Sequence, residues 1–132
     1  MNMRWVMAWL LMLGLLWVPV AGAEPPASVQ AEVNFLLGFV EGSGCAFYRN
    51  GTWHDSKEAQ AHLRDKYQWL AARNLISTTE DFIERAATES SFTGLDYKVR
   101  CKGGPTITSN QWLRDELMFI RTDGHFKNSL TK

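Results

Sequence analysis

Residues 45–54 have the sequence Cys-Ala-Phe-Tyr-Arg-Asn-Gly-Thr-Trp-His, and this stretch decides the predicted fold. Asn50-Gly51 lies between two short runs of β-prone residues, which is the strongest two-residue signal for a hairpin turn. Residues 95–101 (LDYKVRC) alternate apolar and charged side chains, as a half-buried strand does. The sequence therefore predicts a small antiparallel sheet, made of a hairpin near 45–54 and a strand at 95–101.

The two cysteines, Cys45 and Cys101, lie in these two predicted strands. In an oxidising compartment a disulfide is the default state of such a pair. The loop it closes spans 57 residues, for which chain-entropy arithmetic gives about 4 kcal/mol. A zinc site would need more ligands than two distant cysteines supply, and a catalytic thiol would need an unpaired cysteine beside a base. We therefore predict a structural disulfide that brings the strands together.

Four amphipathic helices are predicted around this sheet from the spacing of apolar residues. The predicted capping residues are Ser28, Asp55 (with Glu58), Ser77 (with Glu80) and Ser109. The second helix is expected to end near Asn74, and residues 102–105 form a loop. The expected inward positions are Val29, Val33, Leu36, Leu37, Val40, Ala59, Leu63, Tyr67, Leu70, Phe82, Ile83, Ala86, Ala87, Leu113, Leu117 and Ile120. Helices packed on a small antiparallel sheet give an α+β fold.

The first 23 residues have the order of a secretory signal peptide. Trp5–Val18 is an uncharged run of 14 residues that follows Arg4, and Ala21-Gly22-Ala23 is a small-x-small cleavage site. A membrane span takes roughly 20 apolar residues, so an uncleaved anchor is disfavoured. We predict a signal peptide at 1–23 cleaved after Ala23, a single domain at 24–122 and a disordered tail at 123–132. The mature protein is then exported, without a stable membrane anchor.

Charge and motifs exclude several function classes. The chain has 14 basic and 14 acidic residues, and the basic ones are dispersed among acids, so no nucleic-acid partner is expected. The sequence has no GxSxG, HExxH, paired CxxC, P-loop or dinucleotide-binding motif. We accordingly predict no cofactor and no metal site.

One cluster of polar residues is a candidate binding site: Arg49, Asn50, His54, His62 and Lys66. His62 and Lys66 are neighbours on one helical turn. With Ala59 at zero, His62 lies at about 300°, beside an inner stripe of roughly 340° to 80°. A general base or a ligand clamp can be assembled from such side chains. The alternative is structural: Asn50 serves the turn, His54 caps or packs, and His62 is a boundary residue.

Two further groups carry weaker functional signals. Ser91, in the pair Ser90-Ser91, is a candidate nucleophile beside the candidate bases His54 and His62, although a serine pair that ends a helix more often serves as a hydrogen-bonding terminus. Trp53, Trp69 and Trp112 could line an aromatic groove, with core packing as the alternative. The spacing of eight residues between His54 and His62 is poor for chelating a metal.

Several separated motifs together resemble the YfeK-like family of small exported bacterial proteins, a domain of unknown function. They are Phe35-Leu-Leu37, Ser43-Gly-Cys45, Phe47-x-Arg49-Asn50-Gly51, His54, Glu58-Ala59, His62-Leu63, Lys66-Tyr67, Glu80-Asp-Phe-Ile83, Ser90-Ser91, Gly94, residues 97–101 and Trp112-Leu113. The resemblance implies a Gram-negative periplasmic setting, supports the pairing of Cys45 with Cys101 and implies no activity. It ends at Arg121.

We consider three functions. The preferred hypothesis is a non-enzymatic periplasmic module that binds a protein or an envelope component through the hairpin and the start of the second helix. The second is a small hydrolase or transferase that uses His54 or His62 as base, with Lys66 or Arg49 stabilising negative charge. The third is a structural or stress-related envelope protein without a ligand site, in which the cluster is satisfied internally.

Overall fold

The computed structural model describes residues 24–124, which form four helices and a four-stranded antiparallel sheet. The elements are α1 (Ala27–Gly42), β1 (Ala46–Arg49), β2 (Thr52–His54), α2 (Ser56–Ala71), α3 (Thr79–Ala86), β3 (Lys98–Arg100), β4 (Thr106–Thr108) and α4 (Ser109–Thr122). The predicted α+β class is confirmed. The predicted signal peptide at 1–23 lies outside the described residues, as does the predicted tail from residue 125 onward.

The hairpin of β1 and β2 forms as predicted, and the strand order across the sheet is β2-β1-β3-β4. Asn50 and Gly51 have φ values of 50° and 85°. Positive φ at both central residues is the requirement of a type I′ turn, which Asn-Gly satisfies at low cost. Phe47 pairs with His54 on one side and Val99 on the other, so these residues share one face of the sheet.

The third strand is shorter than predicted. Lys98–Arg100 pairs with β1, whereas residues 95–97 lie outside the strand and Leu95 is 51% exposed. The backbone amide of Tyr97 donates to the Thr88 carbonyl instead of to a neighbouring strand. Of the predicted inward side chains in this segment, Tyr97 is buried and Leu95 is not, because the segment is bonded to the loop after α3 and not to a strand.

Strand β4 (Thr106–Thr108) was not predicted. It pairs with β3 after the turn at residues 102–104. Three residues are too few to show a period of two, and Gly and Pro beside them favour a loop interpretation. Its pairing comes from tertiary contact with β3.

The disulfide between Cys45 and Cys101 is confirmed. The two residues follow the Ala46–Arg100 pair in the β1–β3 register, with their Cα atoms 4.3 Å apart. Directly opposite residues in an antiparallel ladder lie about 4.5–5.5 Å apart. The covalent link therefore extends the ladder between the two central strands.

The N-terminus of α2 is capped as predicted, because the Asp55 side chain accepts a hydrogen bond from the Glu58 amide. The helix ends at Ala71, three residues before the predicted Asn74, which adopts a positive φ of 59°. Asparagine tolerates this left-handed conformation better than most residues. It therefore lies in the turn after the helix and not in its last turn.

The other three predicted caps are wrong by one or two residues. Helix α1 starts after Pro26 with no side-chain cap, so Ser28 lies inside the helix. Thr78 caps α3 in a capping box with Asp81, in place of Ser77 and Glu80, and Thr108 caps α4 in place of Ser109. Hydroxyl residues adjoin each other at two of these sites, so local preference cannot choose between them. Packing chooses, since Thr79 and Ser109, the first residues of α3 and α4, are buried.

The helices cover one face of the sheet: α2 packs on β1 and α4 on β3 and β4, while α1 packs against the other three helices. The buried apolar residues are Val29, Val33, Leu36, Leu37, Val40, Cys45, Phe47, Leu63, Leu70, Ile76, Phe82, Ile83, Ala86, Ala87, Tyr97, Val99, Leu113, Leu117 and Ile120. Of the predicted inward positions, Ala59 and Tyr67 are partly buried against this core. Within residues 24–124, no helix is long and apolar enough to cross a membrane.

Candidate functional site

A cleft opens where the turn end of the hairpin faces α2 and the loop before β3. With the space open to solvent at its mouth, it encloses about 760 Å3. It is lined by Arg49, Asn50, Thr52, His54, His62, Lys66, Ser90, Ser91, Phe92 and Tyr97. The structure thus brings together all five predicted binding residues and the three catalytic candidates. Their roles remain predictions.

Strand and helix periodicity place the basic side chains in this cleft. Arg49 is two residues beyond the buried Phe47, so both lie on the helix-covered face of the sheet. His62 and Lys66 are one turn apart on α2. These polar side chains meet in the cleft, next to the buried residues Phe47 and Leu63.

Tyr97 joins the two candidate site residues of α2, His62 and Lys66, in a hydrogen-bond network. Lys66 Nζ donates to the Glu89 carbonyl at 2.9 Å and to Tyr97 Oη at 3.3 Å. His62 Nε2 lies 3.1 Å from the same oxygen. A lysine ammonium only donates, so the Tyr97 hydroxyl accepts from Lys66, and its own hydrogen is available to His62. We assign this hydrogen to the bond with His62 Nε2, which makes the imidazole neutral with its proton on Nδ1.

The electrostatics favour the same assignment. Burial, and next the positive charges of Arg49 and Lys66, lower the pKa of His62 to about 4. Burial also lowers the pKa of Lys66, an effect opposed by the charge of Glu89. The pKa of Tyr97 is raised, again mainly by burial. At neutral pH the cleft therefore holds a neutral imidazole and an un-ionised phenol beside its cations.

Arg49 is the half-buried cation of the cleft that lacks a partner. Its guanidinium makes no hydrogen bond and no ion pair with any residue in the described range 24–124. No carboxylate is among the residues that line the cleft. Two carboxylates outside the lining act on its side chains: an oxygen of Glu58 lies 2.9 Å from His54 Nδ1, and the charge of Glu89 acts on Lys66. The positive charge of Arg49 and Lys66 thus faces the cleft without a counter-charge in its lining.

A second, mostly apolar cavity adjoins the cleft and shares Arg49, His54, His62 and Tyr97 with it. Phe47, Ala59 and Leu63 line its inner part. It has room for about one water-sized group. As it stands in this structure, the cavity is too small for a large apolar side chain or an acyl chain, so the apolar part of such a ligand would lie outside the cleft.

The two serines have different surroundings. Ser90 is buried, and its Oγ accepts from the backbone amides of Phe92 and Thr93, so it shapes the loop. Ser91 is exposed on the cleft lining. Among the described residues, no hydrogen bond joins Ser91 to His54 or His62. The hydroxyl that does contact an imidazole is that of Tyr97. In the sequence, Tyr97 was predicted only as an apolar position of the alternating strand at 95–101.

The three tryptophans do not share a groove, and none of them lines the cleft. Trp112 stacks on Phe39 at a centroid distance of 4.5 Å at the edge of the core. Trp53 and Trp69 are 37% and 55% exposed. Core packing is thus found for Trp112 alone; for the other two, the core expectation is wrong.

Sequence reasoning missed Tyr97, Thr52 and Phe92 as cleft residues. Thr52 had a usable signal, because it is the hairpin partner of Arg49 across the Asn-Gly turn. No local pattern indicated Tyr97, whose partners lie 31 and 35 residues away. Within residues 24–124, no group of three or more His, Cys, Asp or Glu side chains converges to hold a metal ion.

Comparisons with known proteins cover most of the fold. The profile of a family described as "Family of unknown function (DUF5329)" matches residues 27–121. "Uncharacterized protein YfeK" of Salmonella typhimurium (strain LT2) is 39% identical over 84 residues, which are 63% of this chain and 68% of that protein. No solved structure matches the chain. The family match includes every residue that lines the cleft.

Proposed function

This chain belongs to DUF5329, a family of unknown function, as its YfeK-like resemblance predicted, and we propose that it is a non-enzymatic binding module of the periplasm. Its cleft takes an anionic group, a carboxylate or a phosphate, of a periplasmic protein or an envelope component. The signal-peptide pattern at 1–23 and the disulfide support the setting, since disulfides persist in oxidising compartments.

The unpartnered guanidinium of Arg49 carries this proposal. A half-buried charge without a partner costs free energy, and an incoming anion recovers it. Guanidinium groups bind carboxylates and phosphates with two parallel hydrogen bonds, which gives orientation as well as strength. Lys66, already oriented by Tyr97 and the Glu89 carbonyl, supplies a second positive charge at the same cleft.

The two alternatives have less support. A structural protein without a ligand site would satisfy the cluster internally, and Arg49 is not satisfied by any described residue. A hydrolase or transferase would need an imidazole next to a nucleophile, and the candidate is Tyr97 beside His62. Burial raises the pKa of Tyr97, which disfavours the phenolate that such chemistry needs.

The test is a titration of residues 24–132 with inorganic phosphate and, separately, with acetate, followed by amide chemical shifts. We expect shifts at the cleft residues and a weakening of about 10- to 100-fold in Arg49→Met, since hydrogen bonds to charged groups contribute about 1.5–3 kcal/mol. Arg64→Met is the matched control, because Arg64 is exposed on α2 and does not line the cleft. Equal affinities of Arg49→Met and the unaltered protein would reject the proposal.

A further inference from the structure

We propose that the loop at 90–95 docks this protein on a phospholipid surface, with Phe92 inserted among the acyl chains and one lipid phosphate held in the cleft. The inference rests on the proposed anion-binding function and names the source of the anion. It starts from the exposure of Phe92, whose side chain is 96% accessible at the mouth of the cleft.

The exposure of Phe92 is imposed by a loop with many hydrogen bonds. Ser90 accepts from the Phe92 amide at 3.2 Å through its side chain and from the Gly94 amide at 2.9 Å through its carbonyl. The Ser90 amide in turn donates to the Leu95 carbonyl. Thr93 Oγ1 donates to Asn50 Oδ1 at 2.8 Å and so ties the loop to the hairpin turn. A single exposed apolar residue is ordinary on a protein surface, but here the backbone is organised to hold the ring outward.

The neighbourhood of Phe92 has the two properties that peripheral membrane binding needs. Leu95, in the same loop, is 51% exposed and adds apolar area. Arg49 and Lys66 line the cleft whose rim Phe92 forms, so cationic donors lie directly beside the apolar tip. A phospholipid presents these features in the same order, with acyl chains below a phosphate layer.

A membrane fits this geometry better than a peptide does. A peptide with an acidic group and an apolar side chain is normally received by a groove with a pocket for that side chain. The apolar cavity beside this cleft has room for about one water-sized group only. The apolar part of the ligand must therefore meet Phe92 and Leu95 outside the cleft, and these side chains protrude.

The charges around the loop restrict the mode of binding. Glu89 and Asp96 form an isolated β-bridge at the base of the loop, and both are exposed. These carboxylates oppose a general electrostatic attraction to an anionic bilayer. Binding therefore depends on insertion of the ring and on one headgroup in the cleft, and it should respond less to the net charge of the vesicle than a polybasic segment does.

The experiment is flotation of residues 24–132 with vesicles of phosphatidylethanolamine and phosphatidylglycerol in equal parts. The fragment 24–132 contains the whole described core and omits the apolar run at 1–23, which would bind lipid by itself. We expect Phe92→Ala to lower the partition coefficient about tenfold, in line with the apolar area of a phenyl ring. Phe92→Trp should restore binding, because tryptophan suits the membrane interface. Phe119→Ala, a 60% exposed phenylalanine on α4, is the matched control and should bind as the unaltered protein does.

The outcomes separate this inference from the proposed function. Vesicle binding that falls in both Phe92→Ala and Arg49→Met, and that excess inorganic phosphate weakens, supports the inference. Phosphate binding to the cleft without any vesicle binding overturns the membrane inference and leaves the anion site intact. Binding of a carboxylate-ended peptide without any vesicle binding likewise overturns the membrane inference and leaves the anion site intact. Absence of binding by phosphate and by carboxylate alike overturns both.

Discussion

Two polar clusters on the helices of this protein solve the same electrostatic problem in opposite ways. In the first, which we call the Arg121 cluster, Arg121 on α4 donates to both oxygens of Glu32 on α1, at 2.9 and 3.0 Å, and to Glu80 on α3. Thr79 donates a further hydrogen bond to Glu32 at 2.6 Å. One cation lies between two carboxylates, and each of its three nitrogens donates to one of them, so the cluster ties three helices together.

The second cluster, in the cleft, has the reverse charge balance, with more cations than carboxylates. Arg49 and Lys66 supply two positive charges, and the acceptors that meet Lys66 are neutral oxygens of Tyr97 and Glu89. Structural ion pairs are closed within the protein, whereas a binding site leaves charge to be met by a ligand. The contrast teaches that the charge balance of a cluster, and not its mere presence, indicates function in this fold.

The pKa values differ in the same sense. Hydrogen bonds from Arg121 are the largest cause of the lowered pKa of Glu32 and of Glu80, and these bonds raise the pKa of Arg121. In the cleft, burial is the largest cause of the lowered pKa of His62, and the neighbouring cations add to it. The Arg121 cluster favours the charged forms of its side chains, whereas the cleft disfavours a further positive charge on His62.

The largest expected effect on stability is that of removing the disulfide, which belongs to neither cluster. Replacing Cys45 and Cys101 together with Ala should lower the free energy of unfolding by about 4 kcal/mol, since the 56-residue separation closes a long loop. The effect acts through the unfolded chain, so phosphate affinity of the folded double variant should be unchanged. Urea unfolding and the phosphate titration measure the two quantities. A loss of phosphate affinity would instead make the cleft dependent on the disulfide.

Arg121→Met should have the next largest effect, because it leaves Glu32 and Glu80 facing each other without their cation. Glu32 has a side chain only 13% exposed, whereas Arg121 is 42% exposed. We expect a loss of about 2 kcal/mol, between the values for surface and buried ion pairs. Urea unfolding measures it, with Arg85→Met as the control on an exposed residue of α3. A change of the same size in both variants would contradict the structural role of the Arg121 cluster.

The pH dependence of stability distinguishes the clusters in a third way. The pKa of His62 is about 4 in the folded protein and 6.5 in the unfolded chain. As the pH falls from 6.5 towards 4, the unfolded chain takes up the proton first, so stability present above 6.5 is lost in this window. We expect a loss of about 1 kcal/mol between pH 7 and pH 5, a value reduced because the imidazole is half exposed.

His62→Gln is the matched variant for this measurement, because its amide oxygen can still accept from Tyr97 and does not titrate. The pH-dependent loss attributed to His62 should disappear in urea unfolding of this variant. Glu32 and Glu80, whose pKa values are lowered, lose their contribution only as the pH falls further, through the acidic range of carboxylates. An unchanged pH profile in His62→Gln would refute the neutral imidazole.

The smallest effect on stability is expected for Arg49→Met. With no partner among the described residues, its removal should change the free energy of unfolding by less than about 0.5 kcal/mol. This lies well below the effect of Arg121→Met, although both changes remove an arginine. A loss as large as that of Arg121→Met would assign Arg49 a structural role and would remove the contrast between the clusters.

The local features of this fold were predictable because neighbours in sequence produce them. The turn at Asn50-Gly51 follows from backbone preferences, and the inward positions of the helices follow from periodicity. Errors occurred where the choice was made elsewhere in the chain. Thr78 and Ser77 are equally able to cap a helix, and the burial of Thr79 decided between them. Strand β4 exists because β3 offers it a partner.

The candidate cleft combines features that the local sequence predicts with features that only the tertiary packing determines. Its five predicted residues could be named from the sequence, since Arg49 to Lys66 lie within one hairpin and the first three turns of the helix that follows it. Three facts came from the packing alone: the bond of Tyr97 to His62, the absence of a partner for Arg49 among residues 24–124, and the outward ring of Phe92. Each depends on distances between segments far apart in the chain. Residue type and spacing settle which groups are available, and tertiary packing settles which of them meet a partner.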